Sequence, residues 1–364
     1  MDIVDASREY ERWLAGFGPL NLDDLAYKHA RMADPGTPFP FFRGTYYHWV
    51  RHWLSNGGEL LDAPRVLAIG DLHIENYGTW RDSDGRLCWG VNDFDEAAEM
   101  PYTTDLVRLA ASIRLARKSM HLSIKFGAAC RAIMTGYCKS LQAGGMPFVL
   151  EEHHPHLRAV AMAAERAPVR FWPKLTRLLN DPPVDLPDTA MAALNKRLPV
   201  DGLICAYRNR PRVGMGSLGK SRFVALAEWS GGMICREAKR IVPPASSWVD
   251  GAGEAAHSRM AEAAEHAVRA PDPFYHPDQE WVVRRLAPHC SRIELDHLVG
   301  SELERILEAM GAETTNIHLG TGGMARAISA DLQSRPDNWL KKAARIMADL
   351  IKLDWKQWRS DKKH

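Results

Sequence analysis

The sequence predicts a mixed α+β fold, and three observations lead there. Apolar residues recur at helical spacing, as in Leu106, Leu109, Ala110, Ile113 and Ala116. Two compact apolar runs, Arg65–Ile69 and Leu87–Phe94, lead into polar, aspartate-containing segments and read as strands. Gly202–Ala227 has strand character on both sides of a glycine-rich loop. A chain of 364 residues suffices for one large domain or two ordinary ones, with a core that needs no metal or disulfide staples.

Composition removes several classes of function. Hydrophobic residues at 46% and charged residues at 25% are the balance of a soluble globular protein. With 47 basic and 45 acidic side chains the formal charge is +2, so no whole-chain field favours nucleic acid or an anionic membrane, although a local basic groove stays open. Cys88, Cys130, Cys138, Cys205, Cys235 and Cys290 are scattered without a CxxC pair, which suggests neither a cysteine zinc cluster nor a secreted disulfide framework. The start, MDIVDASREYERW, lacks the basic and apolar regions of a signal peptide. No stretch approaches the roughly 18 apolar residues of a membrane span. A cytoplasmic location is expected.

Taken in order, residues 1–60 read as helical, interrupted near Pro35, Pro38 and Pro40. The segment Pro38-Phe39-Pro40-Phe41-Phe42-Arg43-Gly44 reads as a rigid turn, packed on the core or offering Arg43 to phosphate or substrate. The strand at Arg65–Ile69 runs into Gly70-Asp71, and Arg81–Arg86 is a turn sequence before the strand at Leu87–Phe94. A helix follows from Thr104, with Thr103 or Thr104 as its cap. Residues 121–180 read as largely helical, and Asp181–Pro187 is the clearest boundary. A third strand is expected at Met233–Ala238, with helices over 252–270 and 297–310. Leu340, Ala343, Met347, Leu350 and Ile351 make Trp339–Trp358 an amphipathic helix. The corresponding division is 1–190, mainly helical with an acidic metal site; 191–290, a β-rich nucleotide-binding roof; and 291–364, helices packing against the first region.

The chemistry concentrates at residues 70–96, an active centre expected on neighbouring strands. Gly70-Asp71-Leu72-His73-Ile74-Glu75-Asn76-Tyr77-Gly78 and Val91-Asn92-Asp93-Phe94-Asp95-Glu96-Ala97 gather carboxylates, an imidazole and amides beyond apolar runs. Crowded carboxylates repel and raise one another's proton affinity unless a cation, donors or water compensate them. Magnesium suits the set, because it takes hard oxygen ligands and keeps water and phosphate oxygens in its shell. A satisfied polar network at helix caps is the alternative. His73 fits either a loop hydrogen bond or a substrate contact.

This spacing resembles aminoglycoside phosphotransferases and related small-molecule kinases, with their Gly-Asp-x-His-x-x-Asn loop and following Asp-Phe or Asp-Trp motif. The resemblance implies Asp71 as catalytic base, Asn76 and Asp93 as magnesium ligands, Asp95 as a helper toward metal or substrate, and Asp105 as a structural aspartate supporting the loop. The chain is more closely similar to the DUF2252 family of uncharacterised bacterial proteins. The shared segments are Pro40-Phe41-Phe42-Arg43-Gly44, the two acidic motifs, Asp105-Leu106-Val107-Arg108-Leu109-Ala110, the glycine loop and Val283-Arg284-Arg285-Leu286.

Gly214-Met215-Gly216-Ser217-Leu218-Gly219-Lys220-Ser221 satisfies both GxxxxGK[ST] and GxGxxG. A P-loop must open a helix, whereas Arg222-Phe223-Val224-Ala225-Leu226-Ala227-Glu228-Trp229 favours a strand and so a kinase-like roof or a plain hairpin. Such a roof places Gly214, Gly216, Ser217 and Gly219 over phosphates. It also calls for a cation on the third strand, where Lys239 is the first choice, Arg236 its rival and Lys220 a further contact. In conventional kinases the glycine loop comes before the catalytic loop; here it comes after. The implied fold is therefore a protein kinase-like (aminoglycoside phosphotransferase-like), two-lobed α+β fold, circularly permuted. The implied activity is ATP- and Mg2+-dependent phosphoryl transfer to a small hydroxyl-bearing molecule. A metal-dependent phosphoester hydrolase and a non-catalytic nucleotide-binding sensor are the alternatives. The partner expected is a small-molecule substrate; the sequence does not specify an oligomeric one.

Overall fold

The computed structural model describes residues 1–151, 153–162, 168–251, 257–288, 290 and 300–361. The chain opens with helices α1 (Ile3–Ala15), α2 (Leu22–Met32), α3 (Phe39–Gly44) and α4 (Tyr46–Asn56). Strands β1 (Arg65–Ala68), β2 (Tyr77–Arg81), β3 (Leu87–Val91) and β4 (Ala98–Pro101) follow, then α5 (Thr103–Ala116) and α6 (Phe126–Ala143). After β5 (Phe148–Val149) come α7 (Pro155–Ala161), α8 (Pro168–Thr176) and α9 (Asp188–Asn195). Next are β6 (Ala206–Asn209), β7 (Arg222–Trp229), β8 (Gly232–Arg240), α10 (Ala245–Val249), α11 (Met260–His266), β9 (His276–Pro277) and β10 (Trp281–Arg285). The last described elements are α12 (Ser301–His318), α13 (Ala325–Ser334) and α14 (Trp339–Ser360). The fold is mixed α+β with several sheets. Among the described residues, no helix is long and apolar enough to cross a membrane.

Three antiparallel sheets form, β1-β4, β2-β3-β5 and β6-β7-β8-β10-β9. The two acidic motifs therefore do not leave neighbouring strands of one sheet, as the sequence suggested. The tight turn at 82–86 folds β2 onto β3 as a hairpin, and β5 takes the other edge of β3. That leaves β1 to pair with β4, Arg65 opposite Pro101 and Ala68 opposite Ala98. Two further expectations are corrected. Pro38–Gly44 is largely helical rather than a loop, because proline early in α3 fits the first turn, where its missing N–H is not needed. Neither Thr103 nor Thr104 caps α5; Thr103 Oγ1 donates to Leu60 O and Thr104 Oγ1 accepts from Trp53 Nε1. Of the expected helix over 252–270, only Met260–His266 is helical, and residues 252–256 and 297–299 lie outside the described residues.

The five-stranded sheet has two different faces, as period-two alternation dictates. Phe223, Ala225, Ala238, Trp281 and Val283 pack with Ala190 and Leu194 of α9. The opposite face carries Val224, Leu226 and Cys235 with Leu175 and Leu286. β7 begins immediately after the glycine loop, so no helix opens there and the P-loop reading falls.

Beneath the acidic motifs, α6 and α12 cross with their backbones in close contact. A Cβ on Gly136 would fall on Glu308 O, and one on Gly311 on Ile133 O. α12 then presents Glu313 to β3 and His318 to α5, while α14 packs across α5 and α4. Alanine favours a helix over glycine by about 1 kcal/mol, yet overpacking a close crossing costs about 1–3 kcal/mol. We expect Gly136→Ala and Gly311→Ala each to lower stability in urea unfolding; a stabilised variant would contradict so close a crossing.

Candidate active site

One amide side chain joins the two acidic motifs. Asn76 Nδ2 donates to Asp71 O at 3.3 Å and to Asp93 O at 3.1 Å, while its Oδ1 accepts from Asp93 N at 3.1 Å. The backbone adds a bond from Asn92 N to Asn76 O at 3.2 Å. Asp71 and Asp93 are thus brought together although their strands belong to different sheets. Gly70 turns the chain at φ 82, where a Cβ would strike Glu96 O and Tyr46 Oη. Asp105 fixes that turn, accepting from Ile69 N at 2.7 Å and Gly70 N at 2.9 Å, and is itself met by His318 Nε2 at 3.0 Å.

Among the described residues, the Asp71 carboxylate is held through Oδ1. Arg108 Nη2 and Nε donate to its Oδ1 at 2.5 and 3.1 Å. Arg108 is wholly buried, its guanidinium 3.5 Å from the centre of the Phe42 ring and 5.0 Å from those of Tyr46 and Trp49. Burial pushes this guanidinium below its ordinary value and Asp71 works against that. The other oxygen, Oδ2, faces the glycine loop: a Cβ on Gly216 would lie 3.4 Å from it and 3.5 Å from Arg43 O.

Lys239 reaches the second motif from β8. Its Nζ lies 2.5 Å from Asp95 Oδ1 and 3.2 Å from Asp93 Oδ1, and its side chain is 5% exposed. Burial works against ionisation of Asp93, but Lys239 and Arg284 hold its carboxyl below the usual range. Burial and the neighbouring Asp93 push Asp95 the other way. Arg236 does not join this cluster. It lies on the opposite face of β8, where Nε donates to Arg197 O at 2.9 Å and the guanidinium stacks over Phe274. Lys220 is buried rather than solvent-facing, close enough to Glu96 to oppose the upward push that burial gives that carboxyl, which stands at about 7.

In the loop itself, Gly214 has φ 74 and Gly219 φ 94. A Cβ on Gly219 would run into Leu25 of α2, and Ser217 Oγ accepts from Arg222 Nη2 at 2.6 Å. Arg43 donates Nε to His73 Nε2 at 3.1 Å and pairs with Glu75 through Nη1. The Glu75 amide faces His73 Nδ1 at 3.1 Å, and a neutral imidazole has one lone pair to offer the two donors. Asn76, Asp93, His73 and Arg43 line one cleft of about 1600 Å³ together with Gly214, Ser217, Arg222 and Arg284.

Several contributors were not legible as functional residues in the sequence. Arg108 sits in a helix whose other residues are nearly all buried, and an arginine between Val107 and Leu109 in that apolar run was the available signal. Glu237 is fully buried under Arg210, Arg222 and Arg284, which hold it well below the carboxylate range against the effect of burial. Eleven arginine and lysine residues line the cleft against four acidic ones, and they come from segments too dispersed to form a basic motif. Away from the cleft, His48, His52 and Asp354 form a cluster capable of coordinating a divalent metal ion, their ligand atoms within 4.8 Å of one another. The His-x-x-x-His spacing in α4 was its sequence signal.

Fold and site together define a mixed α+β protein whose carboxylate–lysine centre borders the cleft through Asp93. Residues 22–168 match the family model described as "Uncharacterized protein conserved in bacteria (DUF2252)". The match contains both acidic motifs, Arg43, Asp105 and Arg108, and ends before the glycine loop and Lys239. No curated protein and no solved structure matches the chain.

Glu313 offers a test of how the acidic strand is supported. Its Oε1 accepts from Val91 N at 3.1 Å and its Oε2 from Asn316 Nδ2 at 3.0 Å. Burial raises its carboxyl to about 7, against the pull of Arg269. Between the unfolded value of about 4.3 and the folded one, the native state binds more protons, so stability is lost as pH rises through that window. By pH 8 the loss reaches about 4 kcal/mol. Glu313→Gln sacrifices one acceptor at every pH but escapes this loss. Its disadvantage in urea unfolding should therefore be largest near pH 4.5 and shrink toward pH 8; a constant difference would refute the buried, raised carboxyl.

Proposed function

We propose that the protein is an ATP- and magnesium-dependent phosphotransferase acting on a small hydroxyl-bearing molecule, built as a two-lobed, circularly permuted kinase-like enzyme. The observation that carries this reading is Lys239, which reaches Asp93 and Asp95 from β8, the strand paired with the β7 that follows the glycine loop. The donor set fits magnesium, since hard carboxylate oxygens converge where an ammonium already neutralises them. Asp93 would hold the ion with Asn76, through the second lone pair of its Oδ1, and Asp95 would assist. Bound there, magnesium would supply charge neutralisation at the phosphate oxygens.

The chain's own groups then divide the work. Lys239 exchanges its carboxylate partners for nucleotide phosphates. Asp71 keeps Oδ1 on Arg108 and offers Oδ2 to the acceptor hydroxyl as proton acceptor. Within the turn of Gly214, Gly216, Ser217 and Gly219, Gly216 lies against Asp71, so the turn would lift for an acceptor to enter and close over phosphates afterwards. Lys220 lends charge beneath that turn. Arg43 and His73 form the wall on which the acceptor rests, and Arg236 steadies the far face of the roof.

The test is transfer from ATP with magnesium to a panel of alcohols, sugars and aminoglycoside-like acceptors. Asp71→Asn should fold, bind nucleotide and lose transfer by about 10²–10⁴-fold, while Lys239→Met should weaken nucleotide binding. Full transfer by Asp71→Asn would overturn the base assignment. Rapid hydrolysis of simple phosphoesters without ATP would replace the kinase with a hydrolase, and magnesium-dependent nucleotide binding without turnover would make the protein a sensor.

A further inference from the structure

We propose that His48, His52 and Asp354 bind one divalent ion of the zinc type, distinct from the magnesium site of the cleft, and thereby fasten α14 to α4. Residues four apart lie on the same face of a helix, so α4 presents both imidazoles to one point. Asp354 meets them from α14, with its Oδ2 2.6 Å from His52 Nε2 and 3.4 Å from His48 Nε2. The two rings stand 4.7 Å apart at 82°, so their nitrogens approach from different directions. Around an ion with bonds of about 2.0–2.2 Å in tetrahedral geometry, ligand atoms sit about 3.3 Å apart. The two imidazole–carboxylate separations bracket that value, and all three ligand atoms lie within 4.8 Å of one another.

The donor chemistry separates this site from the acidic centre. Two imidazoles and a carboxylate select zinc-like ions, whereas magnesium prefers oxygen ligands alone. His48 is 4% exposed and turns its Nε2 toward Asp354, so the cluster has one ligand atom in a largely dry setting. His52 is 22% exposed, which leaves room for water as a fourth ligand. Elsewhere on α4 stand Tyr46 and Trp49, two walls of the box around Arg108. An ion at this cluster would thus tie the C-terminal helix to the element that backs Asp71.

The experiment is a zinc titration of metal-stripped, full-length protein against a chromophoric chelator in excess magnesium, with thermal melting in parallel. We expect one equivalent of zinc to bind and to raise the melting temperature, in the parent and in Asp93→Asn alike. His52→Gln and Asp354→Asn, checked for folding by circular dichroism, should bind at least about tenfold more weakly and lose the zinc-induced shift. X-ray absorption of the zinc-loaded parent should show two imidazole ligands, which keeps the test decisive if either variant fails to fold. Absence of stoichiometric zinc, equal binding by the folded variants, loss of binding in Asp93→Asn, or an all-oxygen shell would each overturn the proposal.

Discussion

The ion pair between Arg108 and Asp71 is the constraint around which the two acidic motifs are arranged. A guanidinium with no solvent exposure must be compensated, and here one carboxylate oxygen, the Phe42 carbonyl and three aromatic faces do so. Removing one partner from such a buried pair costs about 3–5 kcal/mol, because the other charge stays behind. The pair also divides the Asp71 carboxylate, with Oδ1 spent on Arg108 and Oδ2 turned to the glycine loop at Gly216.

Around this pair, each segment that touches the acidic motifs is fixed from a second direction. Asp105 receives the two amides of the Ile69–Gly70 turn and is backed by His318, which Tyr137 contacts in turn at 2.8 Å. Glu313 pins the end of β3 from the same helix that carries His318. The close α6–α12 crossing therefore sets the depth of both motifs together. Support for both motifs thus comes from helices that, among the described residues, do not line the cleft.

Much of this was legible where local chemistry decides structure. The amphipathic stretch from Trp339, the aspartate–glycine turn at 82–86 and the strand after Gly219 each follow from periodicity or dihedral preference alone. The choice between Lys239 and Arg236 was not legible, because it rests on which face of β8 meets the cleft, and that is fixed by pairing with β7 and β10. The pairing of β1 with β4 was hidden for a similar reason, since the competing hairpin claims β3 first. Arg108 and Glu237 were hardest, because a buried charge cannot be recognised before its partners are known. The His48–His52 spacing was visible, but its carboxylate comes from the opposite end of the chain.

The arginine-rich cleft has a further consequence for how the molecule meets its ligands. A formal charge of +2 makes the protein nearly neutral from a distance, yet the excess of cationic over acidic groups inside the hollow is large. Low-dielectric walls focus such a field outward through the mouth. Such a field would draw in anions passing nearby, although Glu237 offsets part of the charge of Arg210, Arg222 and Arg284. Capture of an anionic ligand should consequently slow steeply as ionic strength rises, and the protein should still bind weakly to ion-exchange matrices of either sign. Selectivity for charge would then begin in the approach, before any shape is recognised.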